Sequence, residues 1–228
     1  KQPDRLNFST TDGQSVSLSG KYNLKANNTG GQFQNLKITD AQATVDLKNN
    51  TLQLSSSASD KSRVTIQQLS LPNSQLNGLS FNGNMTTNLS SGQLTLKAQS
   101  IHLGSAQFGE VKLDSFKGSG DFFFTPQKGL EIKNANMDLS GRINNFEIKR
   151  LKGKGNLAFN NQGQLTTSQA NHVTLETGIG LTVKGNMQLT QLDPHRLQVA
   201  SHTQIPVALD YQHPQGKVKV NQAEFIGQ

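Results

Sequence analysis

The chain of 228 residues contains no cysteine and no tryptophan, only six prolines and two tyrosines. Without cysteine there is no disulfide framework and no thiolate metal site, a state compatible with an oxidising compartment but not diagnostic of one. No stretch is long or apolar enough to span a bilayer. Helical periodicity is nearly absent as well: no window beyond about ten residues carries apolar positions at i, i+3, i+4 and i+7 without a Gly or Pro intruding. Charged residues make up 16% and hydrophobic ones 32%. The first figure is too low for a charge-rich disordered chain, and the second is low for a compact globule of this length. A thin sheet with one apolar and one polar face needs fewer apolar residues than a two-layer core.

Catalytic signatures are equally sparse. The histidines His102, His172, His195, His202 and His213 have no His or Cys partner at metal-ligand spacing, so no metal site is expected. The carboxylates Glu110, Asp114, Asp121, Glu131, Asp138, Glu147 and Glu176 fall mostly in polar-face slots. Any two can meet across strands, but no local cluster marks a glycosidase pair. There is no Gly-x-Ser-x-Gly nucleophile motif. Gly118-Ser119-Gly120 and Gly153-Lys154-Gly155 are followed by no helix that would present its N-terminus to a phosphate. The triplet Phe122-Phe123-Phe124 lacks the flanking arginines of a single-strand nucleic-acid reader. The expectation is a non-enzyme without cofactor that does not bind nucleic acid.

What is present is alternation. Val16, Leu18, Gly20, Tyr22, Leu24 form one phrase; Leu79, Phe81, Gly83, Met85 another; Phe116, Gly118, Gly120, Phe122, Phe124 a third. Leu151, Gly153, Gly155, Leu157, Phe159 and Leu181, Val183, Gly185, Met187, Leu189 complete the set. Period two marks a half-buried strand, and a glycine in an apolar slot marks a bend, a bulge or a close backbone approach. The last four copies recur roughly 30 to 35 residues apart, as stacked units do. Strands are predicted nearly end to end, Ile143 to Ile148 among them, with turns at Asn49-Asn50, Ser90-Ser91-Gly92, Thr125 to Gly129 and Asn160 to Gly163. Breaks this short imply antiparallel hairpins. Ser55 to Asp60 is the best candidate for a loose loop, and 191–214, with half the prolines, for an irregular cap. No linker divides the chain, so 1–228 reads as a single elongated domain.

A sheet with one apolar face must hide it. Its candidates are Phe81, Met85, Leu94, Leu96, Phe122, Phe124, Ile132, Met137, Leu157, Phe159, Val183, Met187 and Leu189. Burying each contributes roughly 1.5 to 3 kcal/mol. A second sheet, a trough curled on itself, or an apolar ligand can complete the face. Ala and Gly beside Phe and Met leave room along a groove, and Met adapts to irregular partners. The formal charge is +7 and the pI about 9.7, which favours anionic surfaces. The densest basic run is Lys149, Arg150, Lys152 and Lys154. It reads either as a solubilising edge or, with Lys184, as a set of rim cations facing lipid headgroups.

The phrase from Leu151 to Phe159 followed by Gly163, Leu165 and Ala170 resembles the AsmA-like repeats of Gram-negative envelope proteins, as does Phe116 to Gly141. The resemblance covers most of the chain. It implies an all-β fold, a curved antiparallel sheet (a β-taco or open β-jellyroll) whose apolar groove takes phospholipid or lipopolysaccharide acyl chains. It also implies a periplasmic location, an N-terminal inner-membrane anchor removed ahead of Lys1, and envelope or secretion-complex partners. Type II secretion protein N and the lipopolysaccharide-bridge proteins are related in this sense. The lead expectation is lipid binding or shielding; the rival is an accessory secretion or adhesin-like module that binds a protein by its edges.

Overall fold

The computed structural model describes residues 7–9, 15–24, 33–57, 62–143, 146–178, 180–193, 196–200, 207–213 and 216–223, with side-chain surroundings given only within 33–189. The described residues are strands joined by turns, with no helix among them. In chain order they are β1 (Asn7–Ser9), β2 (Ser15–Leu24), β3 (Phe33–Gln34), β4 (Leu36–Asp46), β5 (Thr51–Ser56) and β6 (Arg63–Leu71). Next come β7 (Ser74–Asn88), β8 (Leu94–Leu103), β9 (Ser105–Phe108), β10 (Val111–Thr125), β11 (Gly129–Ile143) and β12 (Phe146–Phe159). The last are β13 (Leu165–Thr177), β14 (Leu181–Asp193), β15 (Arg196–Ala200), β16 (Val207–His213) and β17 (Gly216–Ala223).

Every pairing is antiparallel and joins successive rungs, a rung being one long strand or two short ones in line, so the sheet is one meander. Some rungs of this ladder are broken in two. Strand β7 pairs with both β5 and β6 on one side and with both β8 and β9 on the other. The predicted strand from Ile143 to Ile148 is instead a hairpin, with Ile143 ending β11 opposite Phe146 at the start of β12. The sequence between them is Asn-Asn, a residue type whose intrinsic preference is for turns. Within the expected loop, Ser55 and Ser56 belong to β5, and 58–60 lie outside the described residues. Of the expected cap, 191–193, 196–200 and 207–213 are strand, and the remainder lies outside the described residues.

The glycine phrases acquire a meaning from the register. Gly20 pairs with Ala41, Ala41 with Ser56, Gly83 with Ala98, Ala98 with Gly120, Ala135 with Gly155, and Gly155 with Ala170. These small residues form a line across the sheet, and register shifts accumulate on it, at Gly20/Tyr22, Asn82/Gly83, Gly118/Gly120, Ile132/Ala135 and Ala170/Val173. The sheet is folded along this line. At Gly155 the backbone has φ +152° and a Cβ would stand 1.8 Å from the carbonyl oxygen of Gln169; at Gly83 the values are +142° and 2.0 Å from that of Lys97. No side chain fits there. Rungs running the other way turn the same corner with left-handed Asp40, Asn134 and His172, residue types that tolerate positive φ. The amide of Asn134 donates to Asn156 Oδ1 and that of His172 to Asn186 Oδ1, each at 2.8 Å, so the corner leaves these donors satisfied.

Folding brings two halves of one sheet face to face as two leaves. Phe116 and Phe122 belong to the same strand, on either side of Gly118 and Gly120, and their rings meet edge-on with centroids 5.0 Å apart. One leaf presents the file Leu54, Met85, Leu96, Phe122, Ile132, Leu157. The other presents Leu103, Phe116, Leu139, Leu151, Leu175, Val183. All are buried in one continuous cluster.

Candidate functional site: the apolar interior, its mouth and the outer cations

The fold places the residues singled out from the sequence in two regions, and the register exposes a third. The expected groove residues all point into the space between the leaves. From Phe81, Ile132 (each 0% exposed) to Phe159 (4%), they are packed against one another and do not line an open channel. The filling has a clear cause. The fold line brings Phe and Leu of one leaf against those of the other, and these large side chains occupy the room that the interior Ala and Gly leave. All three methionines of the chain, Met85, Met137 and Met187, lie in this interior. Ser168 is one of the buried polar residues: fully buried, its hydroxyl donates to the Leu189 carbonyl (2.9 Å) and accepts from the Leu189 amide (2.7 Å). It substitutes for a backbone bridge where the pairing of β13 with β14 ends, at Ala170 opposite Met187.

The two long edges of the folded sheet are rims made of turns. One rim carries the turns at 47–50, 89–91, 126–128 and 161–162; the facing rim carries those at 72–73 and 109–110. Hydrogen bonds tie turns together along each rim: the Leu89 amide donates to the Asn50 carbonyl (2.7 Å), the Gly109 amide to the Asn73 carbonyl (2.8 Å). Across the gap the rims touch. The rings of Phe108 and Phe124 stand 5.3 Å apart, although these residues end opposite rims. A Cβ on Gly92 would lie 2.6 Å from the Pro72 oxygen, and one on Gly163 2.6 Å from Glu110 Cβ. Among the described residues no strand pairing joins one rim to the other.

Between the rims lies a cleft of about 480 Å³. Asn73, Ser74, Gln75, Gln107 and Glu110 wall it on one side, Pro126, Gly129 and Asn161 on the other, and Phe108 with Phe124 underlies it. The sequence reading missed it. The signal was Ser74, a hydroxyl residue in phase with Leu76 and so in an apolar slot of β7.

The lysines expected as rim cations are exposed but placed elsewhere. Lys152 pairs with Asp138 and Thr174, Thr174 with Lys184, and Asp138 with Lys117, one row across the outer face. Lys154 follows beside Gly153 and Gly155. These side chains therefore stand outside the bend, on the keel opposite the mouth, because strand parity puts every residue next to an inward glycine outward. Lys149 lies nearer a rim, at the bulge between Ile148 and Arg150. Arg150 grips Asp138 with two bonds, Nε to Oδ1 at 3.0 Å and Nη2 to Oδ2 at 2.7 Å. That grip, aided by Lys152 and Lys117, holds the Asp138 carboxyl below its ordinary 3.8. Among the described residues Lys152, Lys154 and Lys184 make no ion pair. Among the same residues no group of three or more His, Asp or Glu gathers to hold a metal ion, and no helix is long and apolar enough to cross a membrane. Comparison with family models, curated proteins and solved structures finds no match to this chain.

Proposed function

We propose that this chain is a lipid-handling module of the Gram-negative envelope, working in the periplasm, in which an acyl chain is held between the two leaves. The observation that carries the reading is the seam. The apolar interior runs across successive rungs, and its mouth is closed by touching turns, with no strand pairing between the rims among the described residues. Parting the leaves there breaks apolar contacts but no ladder hydrogen bond, and an acyl chain restores contacts of the same kind at roughly 25 cal/mol per Å². A barrel offers no such route, since its wall is hydrogen-bonded all round. The buried methionines supply side chains that repack around a flexible guest. The keel lysines give a separate patch for anionic headgroups or an anionic membrane surface.

The seam also supplies the experiment. The chain has no cysteine, so a Pro72→Cys, Gly92→Cys pair forms an unambiguous bridge across the rims once the turn at Gly92 (φ +74°) gives way, since a Cβ there stands 3.1 Å from Pro72 Cβ, inside the usual span of a disulfide, and 2.6 Å from the Pro72 oxygen. The wild type and the reduced pair are expected to take up a fluorescent fatty acid, and native mass spectrometry to detect co-purifying lipid. The oxidised pair is expected to lose uptake. Absence of lipid and of uptake in the wild type, or full uptake by the oxidised protein, refutes the reading. The filled interior favours one rival in that event: a closed β module that engages a protein partner of the envelope or of a secretion complex by its edges.

A further inference from the structure

We infer that the cleft at the mouth is a binding site for a neutral, hydroxyl-rich ring of the pyranose class. The inference stands apart from the acyl-chain reading, because the cleft exists with the leaves closed.

Ser74 is the first observation. It is 7% exposed and lines the cleft, and its hydroxyl oxygen is buried without a hydrogen-bond partner. A buried hydroxyl left unpaired is costly, and such a group in a native fold calls for a ligand or another polar partner. Its neighbours in the pairing are Leu71 and Phe108, both apolar, so neither offers a side-chain partner. Ser74 itself lines the cleft, and a ligand seated there is the partner we assign to it.

The walls then select the class of occupant. Asn73, Gln107 and Asn161 present carboxamides, and Glu110 a carboxylate. Carboxamides both donate and accept, which suits vicinal hydroxyls; the carboxylate accepts from them. Among the described residues no Lys, Arg or His lines the cleft, which argues against a phosphate or carboxylate ligand. A cation is disfavoured too. Glu110 is the one carboxylate among the described lining residues, and Phe108 and Phe124 are 4% and 2% exposed, so their ring faces cannot form an aromatic cage. A wholly apolar guest would leave the Ser74 hydroxyl as it is. The Gln107 amide nitrogen already donates to the Gly109 carbonyl (3.1 Å), which fixes its oxygen as the free acceptor. The volume, about 480 Å³, falls in the range of small-molecule sites and exceeds what one sugar ring fills, so a monosaccharide enters with water or a disaccharide without.

The test uses the isotope-labelled full chain, titrated separately with D-glucose, D-galactose, N-acetyl-D-glucosamine and inorganic phosphate. At least one sugar is expected to shift the backbone amides of Gly109, Glu110 and Asn161 with a dissociation constant in the millimolar range, and phosphate to leave them unmoved. Ser74→Ala is expected to weaken that sugar about tenfold while the thermal midpoint stays level or rises, since the variant deletes an unpaired buried group. The opposed signs separate a ligand contact from a structural role. Saturating shifts with phosphate, no shift with any sugar, or undiminished affinity in Ser74→Ala overturns the assignment. None of these readouts involves lipid, so either proposal can fail alone.

Discussion

Gly155→Ala should destabilise the fold far more than Gly78→Ala, although each replaces a glycine at positive φ. At Gly78 φ is +63° and the nearest atoms to an added Cβ are 3.6 Å away, an ordinary contact. Only the left-handed backbone is then strained, at about 1 kcal/mol. At Gly155 φ is +152° and the added carbon would stand 1.8 Å from the Gln169 oxygen and 2.8 Å from Ala170 Cα. The backbone region alone costs of order 1–3 kcal/mol. Restoring a normal carbon–oxygen separation pushes β12 and β13 apart where they pair, which adds of order 1–3 kcal/mol of overpacking strain. The sum is about 4 kcal/mol. With a urea slope of about 2–3 kcal/mol per molar, the midpoint falls by about 1–2 M, against less than about 0.5 M for Gly78→Ala. Urea unfolding followed by far-ultraviolet circular dichroism measures both. If Gly155→Ala loses no more than Gly78→Ala, the crowded fold line is not what the glycine phrases encode.

Phe122→Ala should cost about 3–5 kcal/mol in the same assay, the toll of a filled core; a loss near 1 kcal/mol would mean the ring faces open space. Ser168→Ala strands the amide and carbonyl of Leu189 and should cost about 2–4 kcal/mol, with hydrogen exchange at Leu189 speeding up more than at Leu175; equal protection at both would contradict the bridging role. Arg150→Gln should raise the Asp138 titration toward its ordinary 3.8, with Lys152 and Lys117 still holding it down in part, read from its carboxyl carbon by NMR. Because the folded-state value is depressed, the pair's contribution is complete above the unfolded value and fades as pH falls through the folded one. The variant should therefore differ from wild type at neutral pH and converge with it in acid.

Strand content, antiparallel order and the inward phase of Phe81 through Leu189 follow from period-two alternation, a local property of the chain. The hairpin at Ile143–Phe146 was hidden because the apolar alternation on both sides bridges two asparagines without a glycine. The fold line is a different case. Gly83, Gly120 and Gly155 announce a bend singly, but that they fall in one row with Ala41, Ala98 and Ala170 is a fact of register, and register is non-local. The same limit hid the mouth: Phe108 and Phe124 meet only because the sheet closes, and nothing sixteen residues apart on a strand ladder foretells it. For the lysines, outward parity was legible, whereas distance from the rim required knowing where each strand bends.

Each rung supplies a piece of both walls and one step of the crease. Ala98 meets Gly120 as Ala135 meets Gly155, so the junctions are interchangeable. Excising or duplicating a whole hairpin would shorten or lengthen the enclosure like a pleat in a bellows while its cross-section stayed constant. The length of the interior in such a fold is counted in hairpins, and a lineage can adjust it by repeating the Ala–Gly junction.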